Sequence, residues 1–182
     1  MRRIACLVAV ALASCTGADA ETGASPPTTV ADRDVFVRTC DSRVSGALGA
    51  GWRTGQPKTG PVVFVGARGY AEDRPSLFAA PGDRATVHKV LVVVTGARAV
   101  EVAVRHPDAA LFYDERRWRD RNVVPFRLGD GRTRFEPCGG GHGTQFNGGF
   151  LLRGPACVPV EVRVEGEAPR FATLSFGAGD CD

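Results

Sequence analysis

Valine occupies every second position from Val158 to Val164, with Pro159, Glu161 and Arg163 between. A period of two sends alternate side chains to opposite faces, so this stretch predicts a half-buried strand with its valines inward. Pro159 has no N–H to give and is expected at a strand start or a sheet edge. The same alternation recurs at Val100, Val102 and Val104, and at Ala172, Leu174 and Phe176. Residues 61–65 (PVVFV) are an apolar run of strand length between Gly60 and Gly66, and residues 87–95 (VHKVLVVVT) are a β-branched run closed by Gly96. Shorter strands are predicted at 35–37, 110–113, 124–128 and 133–135.

The punctuation suggests how these strands join. Thr95-Gly96-Ala97 predicts a hairpin between 87–95 and 100–104, and Asp130-Gly131 a second between 124–128 and 133–135. Phe146 and Phe150-Leu151-Leu152 read as one strand bent at Gly148-Gly149. A single helical turn is expected at 45–48, inside a glycine-rich stretch anchored by Leu48 and Trp52. About eight short strands with no long helix predict an all-β chain, a Greek-key, immunoglobulin-like β-sandwich. A jelly roll or small barrel is the alternative. The cysteine–tryptophan–cysteine spacing of antibody domains is absent, so the expectation concerns architecture, not ancestry.

The N-terminus follows a different pattern. Arg2 and Arg3 precede an apolar run over 4–13, too short for a bilayer, which needs about 20 residues. That is the order of a secretory signal peptide over 1–14. Leu12-Ala13-Ser14-Cys15 matches a bacterial lipobox, which makes Cys15 the expected lipid attachment residue; cleavage near Ala18 or Ala20 would instead release a secreted protein. Two acyl chains on Cys15 would hold the protein on the outer leaflet of the cell membrane. Residues 15–34 are small and polar and read as a flexible tether, leaving 35–182 as one extracytoplasmic domain.

Composition changes this picture in two places. Loss of Arg2 and Arg3 takes the formal charge from +3 to +1, which gives no electrostatic case for nucleic acid. Of the six cysteines, Cys6 leaves with the signal and Cys15 takes lipid, so Cys40, Cys138, Cys157 and Cys181 remain. An even number in an oxidising compartment predicts two disulfides. The expected pairs are Cys138–Cys157, closing a loop of about 20 residues worth roughly 3 kcal/mol, and Cys40–Cys181. The crossed pairings stay open.

The segments TQFNGGF at 144–150 and GPACVPVEV at 154–162 resemble a group of uncharacterised extracytoplasmic proteins of actinobacteria. The resemblance runs from about Lys89 to Cys181 and takes in Phe112-Tyr113, Phe135-Glu136-Pro137-Cys138 and the closing FGAGDC. It implies a secreted β-domain and supplies no catalytic residue.

Candidate chemistry is sparse. The loop Gly139-Gly140-Gly141-His142-Gly143 lacks the Lys-Ser or Lys-Thr of a phosphate loop and reads as a connection. Cys138 and His142 have a spacing that zinc tolerates, but a site wants about four ligands and the compartment favours cystine. No metal and no cofactor are therefore expected. DERRWRDR at 114–121 is the candidate binding surface: Trp118 between Arg116 and Arg119 suits a cell-wall glycan or an envelope protein. His88, His106 and His142 are isolated, and no nucleophile elbow is present. The expected role is non-catalytic binding or structure at the envelope. A small hydrolase or metal-dependent enzyme is the alternative, and it requires one of these histidines in a pocket beside a carboxylate.

Overall fold

The computed structural model describes residues 35–117, 122–139 and 143–181. These residues form thirteen strands: β1 (Phe36–Arg38), β2 (Lys58–Thr59), β3 (Val62–Val65), β4 (Arg84–Lys89), β5 (Leu91–Val94), β6 (Val100–Val104), β7 (Ala109–Phe112), β8 (Val123–Pro125), β9 (Arg132–Phe135), β10 (Thr144–Phe146), β11 (Gly149–Leu152), β12 (Ala156–Val164) and β13 (Arg170–Phe176). One sheet has the order β1-β9-β6-β12-β13, a second β10-β5-β3-β2, and a third β7-β11-β4-β8. The architecture is an all-β sandwich with open sheet edges, not a closed barrel.

The second and third sheets are two halves of a folded one. Only Val90 separates β4 from β5, and only Asn147 and Gly148 separate β10 from β11. The two long strands pair with each other and bend together. The kink leaves backbone groups without ladder partners, and each buried one needs a replacement. Val90 N–H donates to Gly148 O at 3.1 Å. The Tyr113 hydroxyl donates to Val90 O at 2.8 Å, and the Tyr70 hydroxyl to Lys89 O at 3.1 Å. Arg38 Nη1 donates to Asn147 O at 3.0 Å and also to Tyr113 O. Both glycines foreseen at the bend are required by close approach: a Cβ on Gly148 would lie 2.1 Å from the Tyr113 ring, and one on Gly149 2.0 Å from His88 O.

The valines of β6 and β12 meet β3, β5 and the phenylalanine strands in one main core. Phe135 lies 5.0 Å from Phe146 and 5.1 Å from Tyr113, and Phe150 lies 5.1 Å from Phe176, ring centre to ring centre. A smaller cluster of Ala85, Ala110, Phe112, Val124, Phe126 and Leu151 covers the other side of the third sheet. That sheet is buried on both faces, which is why β7 and β11 are apolar at every position.

Neither expected hairpin forms. β5 pairs with β3 and β10, whereas β6 pairs with β9 and β12. Val92 and Val94 on one side and Val100, Val102 and Val104 on the other serve the same core from opposite layers. The link at 95–99 is therefore an arch between sheets. An arch and a hairpin bury the same alternating residues, so periodicity does not separate them. Around Asp130-Gly131, β8 pairs with β4 and β9 with β6, because Val124 and Phe126 belong to the smaller cluster while Phe135 belongs to the main one. The helical turn expected at 45–48 is absent; a short 3-10 turn lies earlier, at Cys40–Ser42. Pro159 sits inside β12, where β6 has just ended opposite Val160. Arg105 N–H still donates to Pro159 O at 2.9 Å, and the absent proline N–H falls beyond the end of β6.

The disulfides are Cys40–Cys138 and Cys157–Cys181, with Cα separations of 4.7 and 5.7 Å. This corrects both expected pairs, Cys138–Cys157 and Cys40–Cys181. The cause is the register of two strand pairs. β1 runs parallel to β9, with Arg38 opposite Phe135, so the chain leaves both strands side by side and brings Cys40 to Cys138. Cys157 lies opposite Ser175 on β13, and the turn beyond Phe176 folds Cys181 back onto it.

Candidate functional site

A cleft of about 460 Å³ opens between the loop at 43–52 and the start of β10, a size that suits a small ligand. Arg43, Leu48, Trp52, Cys138, Thr144 and Gln145 are among its lining residues. β10 is an edge strand, and the loop covers that edge: Val44 N–H donates to Gln145 O at 2.9 Å, and Gln145 Nε2 to Gly46 O at 2.8 Å. Across the cleft, Cys138 N–H donates to Thr144 Oγ1 at 2.9 Å, and the disulfide to Cys40 ties this wall to the first strand. Trp52 is half-buried, with the Arg53 guanidinium 4.8 Å from its ring centre.

The chemistry of the lining is aromatic, amide and hydroxyl. Among the described lining residues, Arg43 alone carries a charge. Its Nη1 lies 3.4 Å from Cys40 O and 3.5 Å from Cys40 Sγ, and no carboxylate among the described residues pairs with it. Such a surface can stack on and hydrogen-bond a polar ligand.

Two other polar clusters are accounted for by the fold. Arg38, only 2% exposed, bonds Ser42, Tyr113, Asn147 and Glu115, the last at 2.6 Å. Burial pulls its pKa down while Glu115 opposes the shift, and its Nη1 holds the first strand against the kink through Tyr113 O and Asn147 O. On the outer face of the five-stranded sheet, Glu161 sits between Arg105, 2.6 Å away, and Arg163. Burial would raise the Glu161 carboxyl, but hydrogen bonds from both arginines overcome it and hold the group below the ordinary range.

The two described histidines, His88 and His106, have separate surroundings. His88 is 7% exposed and stacks on Phe78 at 4.4 Å, with Tyr70 edge-on at 5.1 Å. The Thr86 hydroxyl shares a hydrogen bond with His88 Nε2 at 2.7 Å and lies 3.2 Å from Leu152 O. Burial lowers the His88 pKa to about 4, against a weaker opposing pull from Asp73. His106 Nδ1 accepts the Asp108 N–H at 3.1 Å, closing a local turn. His142 lies outside the described residues, as do Cys15 and the expected binding residues Trp118 and Arg119. Arg116 is described: its side chain is 91% exposed and, among the described residues, its ion-pair partner is Asp114 at 3.9 Å. Arg117 takes the closer contact with Asp114, 3.0 Å, and reaches Asp130 at 3.4 Å. Among the described residues no three histidine, cysteine or acidic side chains gather as a metal site.

Sequence reasoning missed the cleft. Its visible signals were Leu48 and Trp52, the anchors of a glycine-rich stretch; the pairing of that stretch with β10 is non-local and left no pattern. Comparison of the chain with protein-family models, with curated proteins and with solved structures finds no match.

Proposed function

We propose that this chain is an extracytoplasmic lipoprotein of the cell envelope, held on the outer leaflet through Cys15, whose β-sandwich binds a cell-wall glycan without catalysis. The cleft beside Trp52 carries the reading. An aromatic ring, two side chains able to hydrogen-bond sugar hydroxyls (Thr144 and Gln145) and a cystine-braced wall make a surface suited to a pyranose. The two disulfides support the address, since cystine persists in oxidising compartments. No helix of the described residues is long and apolar enough to cross a membrane. The likeness to extracytoplasmic actinobacterial proteins belongs to the same proposal. No carboxylate or imidazole stands among the described residues of the cleft, and no observation favours hydrolysis there.

The test uses the full chain purified in detergent, titrated with soluble wall-glycan fragments. Fluorescence is followed in a Trp118→Phe background, so that Trp52 reports alone. Saturable quenching is expected, with binding weakened at least tenfold by Gln145→Ala, a loss of about 1.4 kcal/mol. Unchanged fluorescence with every glycan fraction would remove the binding claim. Mass spectrometry of the same preparation should find a diacylated Cys15; an unmodified thiol there would remove the anchor.

A further inference from the structure

We propose that Cys40–Cys138 is a thiol–disulfide exchange site, at which a low-molecular-weight thiolate attacks Cys138. The inference goes beyond the glycan reading and does not rest on it. The two sulfurs have different surroundings. Cys138 is an exposed residue and lines the cleft, whereas Cys40 is half-buried and lies outside its lining. The Arg43 guanidinium stands 3.5 Å from Cys40 Sγ. No carboxylate among the described residues neutralises it, so its charge is free to stabilise an anion on that sulfur.

Exchange rates depend on which sulfur is reached and on how well the other departs as thiolate. A neighbouring guanidinium lowers a thiol pKa and so improves the leaving group. The open approach is therefore at one sulfur, and the stabilised departure at the other. In the step, the incoming thiolate forms a new S–S bond with Cys138 Sγ. The Cys138–Cys40 bond breaks, and its electron pair goes to Cys40 Sγ beside Arg43. One thiolate is consumed and one is produced. A second molecule of thiol, as thiolate, then attacks the mixed disulfide and releases Cys138, so that two external thiols are oxidised to a disulfide while the protein pair is reduced.

Cys157–Cys181 lacks this arrangement: the contact made by Cys181 Sγ is with Gly179 O at 3.9 Å, and no cation of the described residues lies against either sulfur. The fold also has means to survive opening of the first pair. β1 remains paired with β9, and Arg38 still bonds Tyr113, Asn147 and Glu115.

The experiment treats the folded full chain with glutathione in the absence of denaturant, traps free thiols by alkylation, and maps peptides by mass. Cys40–Cys138 is expected to open roughly tenfold faster than Cys157–Cys181. The glutathione adduct should sit on Cys138, leaving Cys40 alkylated. Arg43→Gln should slow opening about threefold or more and raise the alkylation pKa of Cys40 in the reduced protein, while Arg43→Lys retains most of the rate. Equal rates for the two pairs, an adduct on Cys40, or an Arg43→Gln rate equal to wild type would each overturn the assignment. The adduct position is read on the unaltered protein, so it decides the matter whatever the variants do.

Discussion

A single imidazole sets much of the expected response to acid. His88 is held neutral by burial against the Phe78 and Tyr70 rings. The unfolded chain takes up a proton there near the ordinary pKa of 6.5, the folded chain only near about 4. Between those values the unfolded state binds more protons, so stability falls as pH falls through that window, by up to roughly 3 kcal/mol. Glu161 acts at lower pH. Its depressed carboxyl contributes stability above the ordinary value of 4.5 that is lost as pH falls below it. Urea midpoints measured across pH for the wild type and for His88→Leu separate the two groups. The variant should lose the slope between pH 6.5 and 4 and keep the fall beneath it; an unaltered slope would show that His88 is not its source.

At the scale of elements the paired kink is the controlling feature. It was legible in part: Gly148-Gly149 announced the bend, because a strand interior tolerates glycine poorly unless the backbone turns or something approaches closely. What approaches is specific. Gly149→Ala would drive a Cβ into His88 O and should cost at least about 3 kcal/mol, whereas Gly154→Ala, which meets nothing within 4 Å, should change stability by less than about 0.5 kcal/mol. Thermal unfolding of the two variants checks the contrast. The strands themselves were legible because burial imposes a period of two, as at Val158–Val164 and Val100–Val104. Their partners were not. Val94 and Val100 are separated by one short link whether the chain turns within a sheet or crosses between layers, and the choice is made by packing against β3 and β12, both remote in sequence. The cysteine pairing failed for the same reason, since it follows from a parallel contact between β1 and β9 that no local signal marks. The cleft inherits that difficulty: Trp52 was visible as an anchor, but its position opposite Gln145 depends on a loop laid along an edge strand.

For the whole molecule, the two disulfides divide the chain into stretches of unequal freedom. Cys40 and Cys138 are 98 residues apart and Cys157 and Cys181 are 24 apart. Cys40 comes two residues after β1, itself a three-residue strand at the sheet edge. A mechanical pull entering through the segment before residue 35 therefore meets a weak ladder and then, almost at once, a covalent stop. Tension passes from Cys40 directly to Cys138, so most of the sandwich between them carries no load. Single-molecule stretching between the termini should register this as hidden length. Reduction of the first pair should release roughly 330 Å of extra contour at about 3.4 Å per residue. The same extension before and after reduction would mean the bridge bears no force. Placed where the domain begins, Cys40–Cys138 acts as a strain relief for the strands between the two cysteines, β2 to β9, and passes tension drawn through the N-terminal chain straight to the segment that follows Cys138.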